Sequence, residues 1–139
     1  MSEDDRSHLF VYGTLMNAAT GALGAPERRR LARGATIVGP AWVTGQLFDL
    51  GGYPGVVLAD GARGVMVHGE LVRLTDADAI FRWLDPYEDV SPGGGNPSDL
   101  YQRILTRATL VDGTRIGCWI YAMRRAPHGL KVLSNGRWQ

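Results

Sequence analysis

From Thr36 to Met123 the chain is a succession of short β-branched and aromatic runs, each cut off by glycine, proline or an Asp-Gly pair. "ATIVG", "AWVTGQLFDL", "VVLAD", "GVMVHGELVRL", "LYQRILTRATLV" and "TRIGCWIYAM" follow one another in this way. Runs of that kind bounded by turn-forming residues read as strands. "LFVYGTLM", near the N-terminus, adds a first strand over about Leu9 to Tyr12, which brings the count to about seven. The nineteen glycines are scattered between apolar runs without a fixed period, so collagen-like and low-complexity readings fail. "GGYPG" supplies a tight connection, and Asp112-Gly113 reads as a hairpin turn because both residues tolerate positive φ. Gly69 lies inside a strand pattern, where glycine often marks a bulge or a barrel corner.

Two segments break the strand pattern. The second part of "NAATGALGAPERRRLARGA" reads as a short helix, closed by Gly34 as a left-handed cap. Its arginines Arg28, Arg29, Arg30 and Arg33 read as a solvated face, since no aromatic residues interleave them. "TDADAIFRWLDPYED" is amphipathic, with Ala77, Ile80, Phe81 and Leu84 on one face. Thr75 and Asp78 form a capping-box-like start, and Pro86 is expected to end the helix at Asp85. Tyr87 and Glu88 then ride on the turn beyond it, before the loop "SPGGGNPSD". The expected fold is α+β, a small mixed β-barrel of six to seven strands flanked by one or two short helices. One domain over residues 1–139 is expected, with its core at about 8–124 and a tail in which Leu130, Val132 and Leu133 can dock on the body.

Composition narrows the function classes. A formal net charge of +1 gives no bulk field for nucleic acid or an anionic membrane surface. No apolar stretch approaches the ~20 residues of a membrane span, and the polar start "MSEDDRS" lacks a signal-peptide core. The single cysteine, Cys118, lies in an apolar run and reads as a buried structural thiol. These features together predict a cytoplasmic location.

Phosphate-binding, dinucleotide and serine-hydrolase motifs are absent, and His8, His68, His128 and Cys118 lack metal-ligand spacing. Two features retain chemical interest, and each has two readings. Glu88 is either a solvated carboxylate at a helix end or, if the turn folds inward, a desolvated general base. "YGTL" (residues 12–15) is either a strand end and turn or a run of backbone N–H groups, with Gly13 leaving room for a carboxylate ligand.

The order of the pieces adds to these readings. "VYGTLM", "VTGQLFDLGGYPGVV", "GELVRL", "WLDPYEDV", "YQRILTRATLVDG" and "CWIYAM" follow in one series, and the chain from about His8 to Met123 resembles the gamma-glutamylcyclotransferase-like family. The resemblance implies a small barrel in which Tyr12, Gly13, Thr14 and Leu15 hold a glutamyl group by backbone contacts. It implies that Glu88, in the segment Leu84, Asp85, Glu88, is the catalytic carboxylate, followed here by Asp89 where the family usually has glycine. The family's Y-x-R corresponds to Tyr101 and Arg103, which alternate to one face and suit either a structural ion pair or substrate contact. Tyr121 corresponds to its late-strand tyrosine, a substrate contact or a core residue. Tyr53 and Pro54 read as turn chemistry.

The implied reaction releases 5-oxoproline and a free amine or amino acid from a small γ-glutamyl compound. It needs no cofactor or metal. The alternative is a non-catalytic module that uses the same pocket to bind a small amino acid or carboxylate. An amide hydrolase is a weaker third reading, because no second group activates water.

Overall fold

The computed structural model describes residues 6–13, 16, 24–51, 53–59, 64–92, 96–126 and 129–138. The strands are β1 (His8–Val11), β2 (Ala35–Asp49), β3 (Pro54–Leu58), β4 (Val65–Leu74), β5 (Tyr101–Leu110), β6 (Arg115–Met123) and β7 (Lys131–Val132). The helices are α1 (Ala25–Arg33) and α2 (Ala77–Tyr87). Neighbouring strands run in the order β2-β4-β1-β6-β5, and β5 pairs back onto β2 at Ala41↔Leu110 and Trp42↔Thr109. Five strands therefore close into a barrel, with β3 and β7 added on the outside along β2. Closure removes the free edges that an open sheet would expose.

β1 is the axis of the fold. It lies antiparallel to β4 and parallel to β6, and all four of its residues are buried. A strand covered on both faces needs an uninterrupted apolar run, which "LFV" provides. Leu9 and Val11 join Leu31, Ile80, Phe81 and Leu84 in a core beneath the helices. Phe10 and Tyr12 face the other way, into a second core with Val43, Leu47, Leu71, Cys118 and Ile120. Cys118 is fully buried there, as its apolar run predicts.

"ATIVG" and "AWVTGQLFDL" form one long strand, β2, whose register against β4 shifts between Ile37 and Gly39. The irregularity thus sits on β2. Gly69 is instead required by packing, because a Cβ there would lie 2.2 Å from the Val11 carbonyl oxygen and 2.7 Å from the Phe10 ring. The β5–β6 hairpin forms as expected around Asp112-Gly113. Only Gly113 takes positive φ, at 90°, while the Asp112 carboxylate accepts the Thr114 N–H at 2.9 Å. The C-terminal segment docks through β7 and through Leu133, whose N–H donates to the Leu47 carbonyl at 2.7 Å.

Both helices depart from the sequence expectation at their ends. Gly34 caps α1 at φ −112°, so it is not left-handed; a Cβ there would meet Ile80 Cδ1 at 2.9 Å. The N-cap of α2 is Asp76, whose carboxylate accepts the Ala79 N–H at 3.1 Å. Thr75 does not cap α2: its N–H and hydroxyl both donate to the Gly34 carbonyl at 3.0 Å. α2 also does not stop at Asp85. It runs through Pro86 to Tyr87, so Asp85 stays helical although a following proline disfavours that geometry. Among the described residues no helix is long and apolar enough to cross a membrane.

Candidate active site

The end of α2 places its side chains by a defined closure. Glu88 is the C-cap, and its N–H donates to the Leu84 carbonyl at 2.9 Å. Asp89 follows in the left-handed region at φ 58°, its N–H on the Pro86 carbonyl at 3.1 Å. The Val90 N–H then returns to the Asp85 carbonyl at 2.8 Å. These two return bonds form a Schellman motif, which satisfies the last carbonyls and turns the chain sharply. Val90 is buried against the helix side of the core, and this anchors the turn. The closure points Glu88 and Asp89 toward the end of β1.

There they line a cavity of about 250 Å³. β1 and the residues after it contribute Phe10, Val11, Tyr12 and Gly13; the start of β3 contributes Tyr53 and Pro54. α2 and the turn that closes it contribute Tyr87, Glu88 and Asp89, and β5 and β6 add Tyr101 and Tyr121. The wall is predominantly aromatic and apolar, with two carboxylates. Glu88 is half-buried and its pKa is raised from 4.5 to about 7, chiefly by burial and then by the negative charges of Asp89 and Asp85. At neutral pH such a group gives up or takes a proton with little driving force in either direction, as a general acid/base requires.

The tyrosines build the frame of the cavity. The Tyr12 hydroxyl donates to the Tyr121 carbonyl at 2.5 Å and accepts the Val56 N–H at 3.3 Å, joining β1, β3 and β6. The Tyr101 hydroxyl donates to the Pro54 carbonyl at 3.2 Å. The Tyr121 hydroxyl donates to Asp85 Oδ1 at 2.6 Å. Burial pushes all three phenols up, so each remains a donor at neutral pH. Gly13 packs directly on Pro54: an added Cβ would lie 2.9 Å from two atoms of the proline ring. Glycine is required at this point because the segment after β1 approaches Pro54, the first residue of β3, too closely for a side chain.

Of the residues singled out from sequence, Glu88, Tyr12, Gly13, Tyr101 and Tyr121 come together around this cavity. Thr14 and Leu15 lie outside the described residues. Arg103 forms an ion pair with Asp85 at 2.8 Å and lines no part of the cavity. Tyr53 and Pro54, which local sequence reads as a turn, supply its opposite wall. Their signal was the aromatic next to a strand start. Asp89 was visible as a departure from the family's glycine, and Tyr87 only as a neighbour of Glu88.

The family described as Gamma-glutamyl cyclotransferase, AIG2-like matches residues 9–139. The gamma-L-glutamyl-butirosin B gamma-glutamyl cyclotransferase of Niallia circulans is 30% identical over 118 residues, covering 85% of this chain and 67% of that protein. An AIG2-like protein from Mus musculus has the same fold at a TM-score of 0.70 and 24% identity, with 96% of this chain and 88% of that chain covered. A protein from Pyrococcus horikoshii superposes at a TM-score of 0.58 and 18% identity, over 94% and 88% of the two chains.

Proposed function

Because the chain belongs to the gamma-glutamyl cyclotransferase, AIG2-like family, we propose that it cyclises a γ-glutamyl compound to 5-oxoproline with Glu88 as its acid/base. The observation that carries this reading is the half-buried Glu88 carboxyl, poised at about pH 7 beside the Tyr12–Gly13 end of β1. The substrate's glutamyl group is held at the Tyr12–Gly13 end of β1, and the ring of Tyr121 bounds its stem.

The substrate carries its own nucleophile. Its α-amine is spaced to close a five-membered ring on the γ-carbonyl carbon. Glu88 as carboxylate removes a proton from the ammonium, and the freed lone pair forms the new C–N bond. The tetrahedral intermediate collapses with cleavage of the original γ-amide C–N bond as Glu88 passes its proton to the departing amine. The regenerated carboxylate then takes the second proton from the ring nitrogen, which leaves the neutral lactam. That proton goes on to the free amine as it becomes an ammonium. The acceptor and donor nitrogens share one carbon, so a single carboxyl serves both steps. Holding the substrate folded supplies roughly 7–11 kcal/mol of the acceleration, as in other well-oriented intramolecular reactions. A positioned acid/base adds ~10²–10⁴-fold.

The test is a panel of γ-glutamyl amines, γ-glutamyl amino acids and glutathione, with 5-oxoproline release followed for wild type and Glu88→Gln. The expected result is turnover of at least one compound by wild type and a loss of at least ~10²-fold in kcat in the variant. Full activity in Glu88→Gln sinks the assignment. Ligand binding without turnover across the panel favours a binding module instead.

A further inference from the structure

We propose that Arg103, Asp85 and Tyr121 form a positioning unit that holds the last turn of α2, and with it Glu88, at a fixed place over the cavity. The inference rests on the reading of Glu88 as the acid/base. Arg103 stands on β5 opposite Tyr121 of β6. Its guanidinium lies in the corner formed by two edge-to-face rings, 3.9 Å from the centre of Phe81 on α2 and 4.3 Å from that of Trp119 on β6. From there it grips Asp85 with two donors, Nε to Oδ1 at 2.8 Å and Nη2 to Oδ2 at 3.2 Å. The Tyr121 hydroxyl completes the set on Oδ1 at 2.6 Å.

Three features make this more than a surface ion pair. The pair is bidentate and partly buried, and the cation is held against two aromatic rings, so little side-chain freedom remains to be lost. Asp85 is also held through its main chain, since its carbonyl receives the Val90 N–H that closes the turn around Glu88. Finally, Tyr121 is tied in turn to Tyr12, so the unit fixes α2 relative to the end of β1. Neither Arg103 nor Asp85 lines the cavity. Their influence on the reaction passes through the placement of Glu88 and through the charge of Asp85, which the guanidinium compensates.

Among the described residues, the charged and titratable groups that face Glu88 are Asp85, Tyr87 and Asp89 on α2 and its turn, Tyr12 after β1, Tyr53 before β3, Tyr101 on β5 and Tyr121 on β6. Replacing Arg103 by methionine keeps bulk against the rings and leaves the Asp85 charge uncompensated. The Glu88 titration midpoint should then rise.

The experiment compares wild type, Arg103→Met and Arg103→Lys as full chains. The Glu88 carboxyl is titrated by ¹³C NMR without substrate, with its resonance assigned by its loss in Glu88→Gln; kcat and KM are measured on a turned-over γ-glutamyl compound. Arg103→Met is expected to raise the midpoint by about one pH unit and to lower kcat up to ~10²-fold with KM within about threefold. Arg103→Lys should restore part of both. An unchanged midpoint and kcat alongside a lowered Tm would overturn the proposal and leave a purely structural ion pair. If Arg103→Met does not fold, Tyr121→Phe replaces it, because that change removes one donor to Asp85 and should move the Glu88 midpoint in the same direction; an unmoved midpoint in it refutes the proposal. Should wild type turn over no γ-glutamyl compound, the proposed activity fails, while the substrate-free titration still decides the positioning unit.

Discussion

Glu88→Gln should stabilise the protein, and by an amount that depends on pH. The Glu88 midpoint is displaced from 4.5 to about 7, mainly because the folded chain removes the carboxyl from water. Each tenfold difference in proton affinity corresponds to ~1.4 kcal/mol, so the ionised carboxylate costs the folded state at most about 3.5 kcal/mol. The folded protein binds this proton more tightly than the unfolded chain does. The associated stability is therefore fully present below pH 4.5, declines as pH rises, and is gone above about pH 7. Glutamine mimics the neutral acid at every pH.

Thermal unfolding of the two proteins between pH 4 and pH 9 should thus begin with equal midpoints and diverge. The gap should open mostly between pH 4.5 and 7 and reach roughly 10 °C in favour of glutamine. A gap that stays constant across the range, or a wild type that is the more stable at pH 8, would show that Glu88 is not desolvated by the fold. The base assignment would then lose its physical ground.

Asp89→Gly should relieve a left-handed position, φ 58°, and remove a negative charge at a helix C-terminus, adding about 1 kcal/mol to stability in urea titration. The same change should lower the Glu88 midpoint, so the acid limb of kcat/KM, expected near pH 7 in wild type, moves to lower pH. Gly13→Ala places a Cβ 2.9 Å from the Pro54 ring and should cost ~1–3 kcal/mol while raising KM, read from denaturant midpoints and steady-state kinetics. Asp76→Ala removes the α2 N-cap and should cost ~1 kcal/mol, with kcat unchanged because the cap lies at the far end of the helix from Glu88.

What could be read from sequence was what local chemistry determines. β1 and β6 stand out because strands buried on both faces demand continuous apolar runs. The body of α2 is visible in the spacing of Ile80, Phe81 and Leu84, all of which are buried. Its ends were misplaced because competing local signals were decided by tertiary contacts. Thr75 was drawn away from the cap by the Gly34 carbonyl, and Pro86 was accommodated by the return bonds to Asp85 and Pro86. Barrel closure between Ala41 and Leu110 joins residues about half the chain apart and leaves no local trace. The same holds for the site. Glu88 and Tyr12–Gly13 could be named from their segments and from the family pattern, but the Pro54 wall and the Arg103–Asp85 clamp arise only when distant strands meet.

The most direct measurement is the fate of solvent oxygen. Turnover of a γ-glutamyl substrate in H₂¹⁸O separates internal attack by the α-amine from attack by water. Cyclisation predicts 5-oxoproline that carries no ¹⁸O, with no free glutamate, and its disappearance in Glu88→Gln. Release of glutamate with one ¹⁸O in its γ-carboxyl would show hydrolysis and contradict the proposed reaction.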